Sequence, residues 1–300
     1  NKKLNWVREG VEIAWEQFEL KSGFFRAAAS RQNTSEIEVN EAGSLVTLIG
    51  DSTAITVDRA LGGVTSILID GKELLKKPLR PNFRKAANDN QNANCFTRRL
   101  AVWMDAASKL QLISSDTQKQ KDGVMLTLTY QLPVAHARLA VSYKLDTAGR
   151  VHCHYSIHGA NGPNLPKFGA TLALTDQFSQ VEWFGRGLHE TYCDRKTSGK
   201  FGVYRQPVTA FRYNYIRPQD NGNHTDVRWC SFVNDNGQTV RITGLQPLQV
   251  SAWPYTTNDL AKSGHPHELP ETDYLTINID HLVKGVGGND SWGAQALDQY

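Results

Sequence analysis

The feature that most constrains this fold is a long succession of short alternating segments separated by tight turns. Hydrophobic and polar residues alternate with a period of two over stretches such as residues 45–49, 64–69 and 124–130. The turns carry Asp-Gly, Asn-Gly and Ala-Gly pairs, as at residues 70–71 and 236–237. Such alternation turns one face of each strand toward a core, and Asn-Gly and Asp-Gly favour hairpins. The sequence therefore predicts an all-β protein built from antiparallel strands.

The expected strands are short and number about a dozen, which favours a large sandwich over a doubly wound sheet. They lie at residues 45–49, 54–57, 64–69, 124–130, 138–145, 151–157, 169–174, 181–184, 227–233, 239–243, 248–253 and 274–279. Helical patterns are scarce. One short helix is predicted over residues 98–107, and another over residues 257–263 with Thr256 or Thr257 as its cap.

Composition narrows the possible partners of this 300-residue chain, 40% of which is hydrophobic. The formal net charge is +3, from 33 basic and 30 acidic residues mixed along the chain, so nucleic acid is not an expected partner. No apolar run approaches the length of a membrane span, and no membrane partner is expected. The four cysteines stand far apart and are predicted to be free, mostly buried thiols. They are Cys95, Cys153, Cys193 and Cys230.

The beginning of the chain differs from the rest. Residues 11–20 form an apolar alternating stretch, interpreted as a strand with a bulge near Glu16. A strand this apolar needs partners that so few residues cannot supply. We therefore interpret residues 1–22 as the terminal strand or strands of a preceding domain, residues 23–36 as a linker, and residues 37–300 as the main domain.

Three loops concentrate polar side chains. In the loop 80–90, many amide and carboxylate groups can fix the shape of the loop or bind a ligand, and both possibilities stay open. In the loop 183–196, His189 and Glu190 suggest an acid/base pair, but adjacent residues of a strand point to opposite faces. The favoured interpretation there is a structural charge network. Its members are Arg186, Glu190, Asp194 and Arg195.

The third loop covers residues 213–229. Its Asn-Gly-Asn segment at 221–223 predicts a turn, and Asp226 and Arg228 are expected on one strand face as an ion pair. A metal site on His224 and Asp226 would lack a third ligand. The sequence contains none of the usual nucleophile, phosphate-binding or zinc-protease motifs.

Near the end of the chain, residues 285–292 bring one large aromatic ring into a glycine-rich polar turn. The apolar face of a pyranose can lie on the indole of Trp292, while Asn289 and Asp290 can bond its hydroxyls. The glycines allow positive φ and close backbone approach. The alternative is a tight turn whose tryptophan packs into a core.

In order, these segments resemble the C-terminal part of the large β-galactosidases of glycoside hydrolase family two, the group typified by the lac-operon enzyme. Residues 14–20 are similar to the last strand of that family's immunoglobulin-like fourth domain. Residues 185–196 match its GRGPxExYxDRK motif, 215–229 its YxxPQExGNxTDVRW motif, and 285–292 its GxGGxDSW motif. The family's PNFWRAPTDND motif corresponds to residues 81–90, where Arg84 stands in place of tryptophan and the second proline is also lost. Other departures are Leu188, Thr191, Cys193 and Asp220.

The resemblance implies a large β-sandwich of the galactose mutarotase-like, or supersandwich, type. It implies that Trp292 contacts the sugar. It places both catalytic glutamates and the magnesium and sodium ions in a (β/α)₈ barrel that these 300 residues do not contain. No catalytic residue, metal or cofactor is therefore expected in this chain.

The leading functional hypothesis is that this chain completes the site of a retaining β-galactosidase but does not cleave bonds itself. Retaining hydrolysis needs two carboxyl groups about 5 Å apart, and no loop here suggests such a pair. Expected partners are the β-galactoside, the barrel and immunoglobulin-like domains, and further copies in a homo-oligomer. The alternatives are a sugar-binding module or small subunit of a two-chain enzyme, and, by fold analogy alone, an aldose 1-epimerase.

Overall fold

The fold consists almost entirely of antiparallel strands. The computed structural model describes residues 10–20, 36–159, 165–270, 272–287 and 294–295. In the first half the strands are β1 (Glu38–Ala42), β2 (Leu45–Ile49), β3 (Thr53–Asp58), β4 (Gly63–Ile69), β5 (Lys72–Glu73), β6 (Leu75–Asn82), β7 (Gln111–Gln120), β8 (Gly123–Gln131) and β9 (Arg138–Asp146). The remainder are β10 (Val151–His158), β11 (Lys167–Thr175), β12 (Gln180–Gly187), β13 (Lys200–Pro207), β14 (His224–Val233), β15 (Thr239–Trp253) and β16 (Tyr274–Val283).

These strands form two sheets. The larger has twelve strands in the order β1-β2-β3-β4-β6-β11-β16-β15-β14-β12-β13, with β5 beside β4, and the smaller has four in the order β10-β9-β8-β7. Every strand pairing is antiparallel. The main hydrophobic core takes buried side chains from both sheets, among them Leu48, Leu126 and Ile277. The predicted all-β antiparallel sandwich is confirmed.

Alternation explains why these strands formed where the sequence predicted them. Along β8 and β9 buried residues alternate with partly exposed ones, so a single face enters the core. Strands β1, β5 and β6 were not predicted, and neither were β7 and β13. Nearly every residue of β7 is exposed and no residue of β13 is buried, so neither of these two shows a core-facing period. Their backbones are fixed by pairing with β8 and β12.

The helices are short. Helix α4 (Thr257–Lys262) begins after Thr256, whose side chain accepts a hydrogen bond from the backbone of Asp259, as the predicted cap requires. The single helix expected over residues 98–107 is wrong in detail, because the chain there forms two separate turns. They are α2 (Phe96–Arg99) and α3 (Ala101–Met104). Helix α1 (Asp89–Ala93) precedes them.

Residues 10–20 do not form the predicted strand. They lie along the outermost strand β13, where Gln17 exchanges hydrogen bonds with the backbone of Phe201, but they enter no sheet. Ile13 and Leu20 are largely exposed. Isolated strands gain too little to form alone, which accounts for the difference. The assignment of residues 1–22 to a preceding domain stays a prediction.

The thiols are free but are not mostly buried. Cys230 is buried and Cys193 half-buried, whereas Cys95 and Cys153 are exposed. Cys153 lies on β10, the outer strand of the smaller sheet, so its exposure follows from the topology. Within the described residues, no helix is long and apolar enough to cross a membrane.

Candidate functional site

The polar loops identified in the sequence meet at one place, and the first contributor is helix α1. Asn88 caps this helix: its side chain accepts a hydrogen bond from the backbone of Gln91, and the Gln91 side chain in turn accepts one from the Asn88 N–H. This reciprocal capping box satisfies backbone donors that five helical residues could not satisfy alone. Gln219 ties the helix to the 213–229 loop, since its amide contacts both the backbone N–H and the carboxylate of Asp89 at 3.2–3.3 Å.

The helix and Asp194 together hold the glycine-rich segment before residue 288. Asp194 accepts hydrogen bonds from the backbone N–H groups of Val286 and Gly287, at 3.1 and 2.9 Å. From the other side, Gln91 donates to the Gly285 carbonyl at 3.0 Å and Asn88 to the Val286 carbonyl at 2.9 Å. Carboxylate hydrogen bonds of this kind are stronger than neutral ones.

The backbone at residue 294 is held by the same helix. The side-chain amide of Asn90 donates to the carbonyl of Ala294 at 2.5 Å. A Cβ at position 287 would lie 3.1 Å from that carbonyl, so the chain enters and leaves residues 288–293 at one point. We call Asn88, Asn90, Gln91 and Asp194 the loop clamp.

Two glycines are required by the loop clamp. A Cβ on Gly285 would lie 2.6 Å from the Asp194 carboxylate, closer than real Cβ contacts occur. Gly287 has a φ of 74°, and a Cβ there would collide with the amide of Asn90. Close backbone approach and left-handed φ are therefore the physical reasons for glycine at these positions.

Glu190 anchors the neighbouring loops. Only 5% exposed, it accepts hydrogen bonds from Arg195 (2.5 Å), from the Tyr215 hydroxyl and from the Gly222 N–H (2.7 Å). Burial and the bond to Glu190 raise the pKa of Tyr215 to about 12. His189 instead contacts Ser198, so His189 and Glu190 do not act on a common point, which agrees with the predicted charge network.

Asp226 belongs to that network with different partners from those expected. Its carboxylate contacts Arg186 at 2.6 Å and Lys196 at 3.0 Å. Burial raises its pKa, but the hydrogen bonds from Arg186 and Lys196 outweigh burial and lower it below the ordinary value. The predicted Asp226–Arg228 pair is wrong: a β-bulge shifts the register here and Asp226 has a φ of 57°, so alternation fails. Arg228 lies over the ring of Phe201 at 4.8 Å.

His224 is a residue of the hydrophobic core. Its ring stacks on Phe211 at 4.1 Å and meets the edge of Trp183 at 4.7 Å. Its nitrogens face the carbonyls of Gly222 (3.0 Å) and Leu188 (3.3 Å). Burial lowers the pKa of His224 to about 4, so the ring is neutral near pH 7. Across the described residues, no cluster of three or more His, Cys, Asp or Glu could hold a metal ion.

Two buried ion pairs lie close to the loop clamp. Lys167 and Asp280 are 2.8 Å apart with both side chains buried, and burial raises the pKa of Asp280 to about 6 against the effect of Lys167. Lys85 lies 3.7 Å from Asp220 and donates to Gln91 at 3.0 Å. Burial lowers the pKa of Lys85, opposed by Asp220. The first pair joins strands β11 and β16, and the second joins the 80–90 loop to the 213–229 loop.

The predicted site residues divide into two groups. Trp292, Asp290 and Asn289 lie outside the described residues, so their predicted contact with sugar stays a prediction. Arg186, Glu190, Asp194, Arg195 and Asp226 all take part in the contacts between loops given above. Sequence reasoning missed Gln91, although the spacing from Asn88 to Gln91 before a short polar run is that of a capping box. The side-chain amides of Asn88 and Asn90, in the 80–90 loop, donate hydrogen bonds to the backbone of residues 286 and 294.

Fold and site together define a β-sandwich domain in which one cluster of polar side chains binds the backbone of residues 285–287 and of Ala294. The chain belongs to the β-galactosidase small-chain family, since the family described as "Beta galactosidase small chain" matches residues 49–300. A β-galactosidase of Priestia megaterium is 31% identical over all of this chain, which spans 29% of that relative's length. The chain thus spans about three-tenths of the first relatives it matches.

A shorter relative matches nearly end to end. The β-galactosidase small subunit of Latilactobacillus sakei is 31% identical, covering 80% of this chain and 85% of the relative. Among solved structures, a galactose 1-epimerase from Lactobacillus acidophilus covers 82% of this chain and 97% of its own, at 9% identity and a TM-score of 0.37.

Proposed function

We propose that this chain is the C-terminal part of a retaining β-galactosidase and completes its galactoside site with Trp292, while the cleavage chemistry lies elsewhere in the enzyme. The loop clamp is the observation that carries the proposal. Membership of the β-galactosidase small-chain family gives the substrate class.

The clamp supports this role through preorganisation. A stacking surface is useful only if its backbone is fixed before the sugar arrives, because ordering it afterwards would cost binding free energy. Asp194, Gln91 and Asn88 fix residues 285–287, and Asn90 fixes residue 294. In the proposed complex Trp292 lies against the apolar face of the sugar, with Asn289 and Asp290 bonding its hydroxyls.

The proposed division of labour fits the carboxylates of this chain. A nucleophile and an acid/base must face the scissile bond about 5 Å apart. Glu190 is occupied by three donors and Asp194 by the backbone of residues 286 and 287, so both act in positioning. The two catalytic glutamates, and the magnesium and sodium ions that the family resemblance implies, would belong to the barrel domain of the full-length protein.

The first experiment separates site completion from catalysis. These 300 residues, purified alone, should give no turnover of an aryl β-galactoside, and measurable turnover would refute the proposal. In the full-length enzyme, Trp292→Ala should weaken galactoside binding by about 1–3 kcal/mol, the magnitude of a lost aromatic contact. Thermal unfolding should change little, because a side chain on a surface loop contributes little to the core.

A second experiment tests the clamp itself. Asp194→Asn in the full-length enzyme replaces a doubly accepting carboxylate by an amide and should lower kcat/KM at least tenfold. Asp116→Asn, on the exposed strand β7, is the matched control and should leave kcat/KM unchanged. Equal activity of both variants would remove the clamp from the proposal.

The alternative that a specific observation favours is a natural small subunit. The near end-to-end match to the small subunit of Latilactobacillus sakei supports it. In that case the chain and the remainder of the enzyme, expressed separately and mixed, should recover activity together. Mass measurement of the mixture would show whether the assembly is also a homo-oligomer of such pairs, as we expect. A chain that binds galactose by itself would instead act as an autonomous binding module.

A further inference from the structure

A second polar site lies on the larger sheet away from the loop clamp. A cavity of about 450 Å³ opens over strands β6, β11 and β16, bordered by residues 104–108 and by the start of helix α4. Its size is that of a small-molecule site. We call it the cationic groove and define it by Lys77, Arg80, Arg84, Thr171 and Thr276.

The register of strands β6, β11 and β16 places the floor of the cationic groove on one face of the larger sheet. Arg80 is paired with Thr171 of β11, and Thr276 of β16 is paired with Ala173, two residues further along β11. Residues two apart on a strand share a face, so Arg80 and Thr276 face the same side, on the two strands that flank β11. Given two strand spacings and the two-residue offset along β11, their backbones are roughly 12 Å apart.

Three donors in this groove have no partner among the described residues. Arg80 is half-buried and makes no hydrogen bond or ion pair there. The Thr276 hydroxyl is buried, with the residue 6% exposed, and it is unpaired, as is Nε of Arg84. Buried polar groups in proteins are nearly always paired, because leaving one unpaired costs stability. Unpaired donors converging on one cavity therefore point to a missing acceptor.

Other polar groups on this face of the sheet, in contrast to these three donors, have partners. Asn82 donates to Asn278 and Asn278 to Ser251, both at 3.3 Å, and the Thr171 hydroxyl donates to the Ile277 carbonyl.

The groove carries an excess of positive charge. Lys77, Arg80 and Arg84 line it, and the only acid in the lining is Asp105, which is exposed and 3.3 Å from Nη1 of Arg84. Lys77 donates to the Tyr274 hydroxyl at 2.9 Å, which holds its ammonium group beside the groove.

We propose that the cationic groove binds a small oxyanion-bearing ligand, a phosphate or carboxylate carried on a sugar-sized body. Arg80 supplies a planar fork of donors that matches either oxyanion, and Nε of Arg84 and the Thr276 hydroxyl add two further donors. A neutral sugar would leave the arginine charges uncompensated. None of the residues that define the groove belongs to the loop clamp.

The test is calorimetric titration of the chain with four probes. Glucose 6-phosphate and glucuronate bear the two oxyanions on one body, inorganic phosphate lacks the body, and glucose lacks the charge. We expect at least one of the two sugar anions to bind, at least tenfold more tightly than glucose, and more weakly as salt is raised. The preferred oxyanion identifies the ligand class. Equal binding of all probes, or of none, would overturn the proposal.

Two substitutions in the groove and one control substitution test whether the sugar anion binds there. Arg80→Gln and Thr276→Val should each weaken the bound sugar anion, Arg80→Gln at least tenfold, while Arg138→Gln on the exposed face of the smaller sheet should not. Because Arg80 has no partner among the residues that the structure describes, Arg80→Gln should not lower the melting temperature. If it unfolds the chain, Arg80 is a structural residue and the proposal fails. If Arg80→Gln and Thr276→Val both bind like the unchanged chain, the anion lies elsewhere and the proposal also fails.

Discussion

The loop clamp region and the cationic groove are both polar and both lie on the twelve-stranded sheet, yet their central polar groups differ in whether they have partners. Around the clamp, Glu190 has three donors and Asp194 two. In the groove, Arg80 and the Thr276 hydroxyl have no partner within the part of the chain that the structure describes. Burial alone therefore does not distinguish a structural polar group from one available to a ligand; its partners do.

The free-energy cost of leaving a buried polar group unpaired explains the difference between the two regions. A fully paired buried network rigidifies the loops that it joins, whereas an unpaired donor reduces stability and persists where function needs it. Substitutions in the clamp region should consequently destabilise the fold, and substitutions in the groove should not.

The largest expected effect is at Glu190. Glu190→Ala removes the acceptor of the half-buried Tyr215 hydroxyl and of the buried Gly222 N–H. We expect the free energy of unfolding to fall by about 3 kcal/mol in urea titrations. Glu38→Ala, on the exposed strand β1, is the control and should change it by under about 0.5 kcal/mol. A loss below about 1 kcal/mol at Glu190 would mean that the loops hold together without it.

The next effect is a pH dependence due to His224. Its pKa is about 4 in the folded protein and 6.5 when unperturbed, so the unfolded state binds more protons between these values. Stability is therefore lost as pH falls through this window, by about 2 kcal/mol between pH 7 and pH 5. Asp280, with its raised pKa, acts in the opposite direction between about pH 4 and 6.

The contribution of His224 to the pH dependence of stability is obtained by comparing the unchanged chain with a variant. Urea unfolding of the unchanged chain and of His224→Phe, each at pH 7 and pH 5, should show that the variant loses less stability on acidification by about 2 kcal/mol. His281→Gln, at an exposed position, should keep the slope of the unchanged chain. Identical slopes for the chain and His224→Phe would place the titrating group elsewhere.

A smaller effect is expected at Thr191, which belongs to the paired region. Its hydroxyl is fully buried, accepts a hydrogen bond from the Thr225 N–H at 2.9 Å and contacts the Thr225 hydroxyl at 3.0 Å. Thr191→Val keeps the shape and removes these contacts, so the free energy of unfolding should fall by about 1–2 kcal/mol.

The smallest effect completes the comparison. Thr276→Val makes the same chemical change at a buried hydroxyl that has no partner, so stability should stay within about 0.5 kcal/mol or rise. Both threonine variants are measured by the same urea titration. If Thr276→Val costs as much as Thr191→Val, the two regions do not differ and the groove donor is satisfied in solution.

The sequence predicted the strands well where one face is buried. Residues 124–130 and 138–145 alternate strictly, and the structure places strands β8 and β9 over them. Residues 239–243 and 248–253 were separated in the prediction because residues 244–247 break the alternation, yet the chain continues as the single strand β15. Pairing with β14 and β16 overrides the local pattern there.

The site was predictable only in part. The glycine-rich segment 285–287 and the charged residues Glu190 and Asp194 were identified from their composition. Their partners were not, because Asp194 meets residues some ninety positions away and Asn90 meets a carbonyl 204 positions away. The expected Asp226–Arg228 pair failed because a bulge interrupts the alternation that the prediction assumed.

By itself, the sequence determined the all-β class, most strand positions and the residues of the polar loops, since these depend on local alternation and on turn chemistry. Only the tertiary structure decided which polar groups are paired. Pairing depends on which loops the sheet order brings together, and strands distant in sequence, such as β6, β11 and β16, become neighbours through that order. The clamp and the groove are therefore distinguished by three-dimensional partners that no local pattern records.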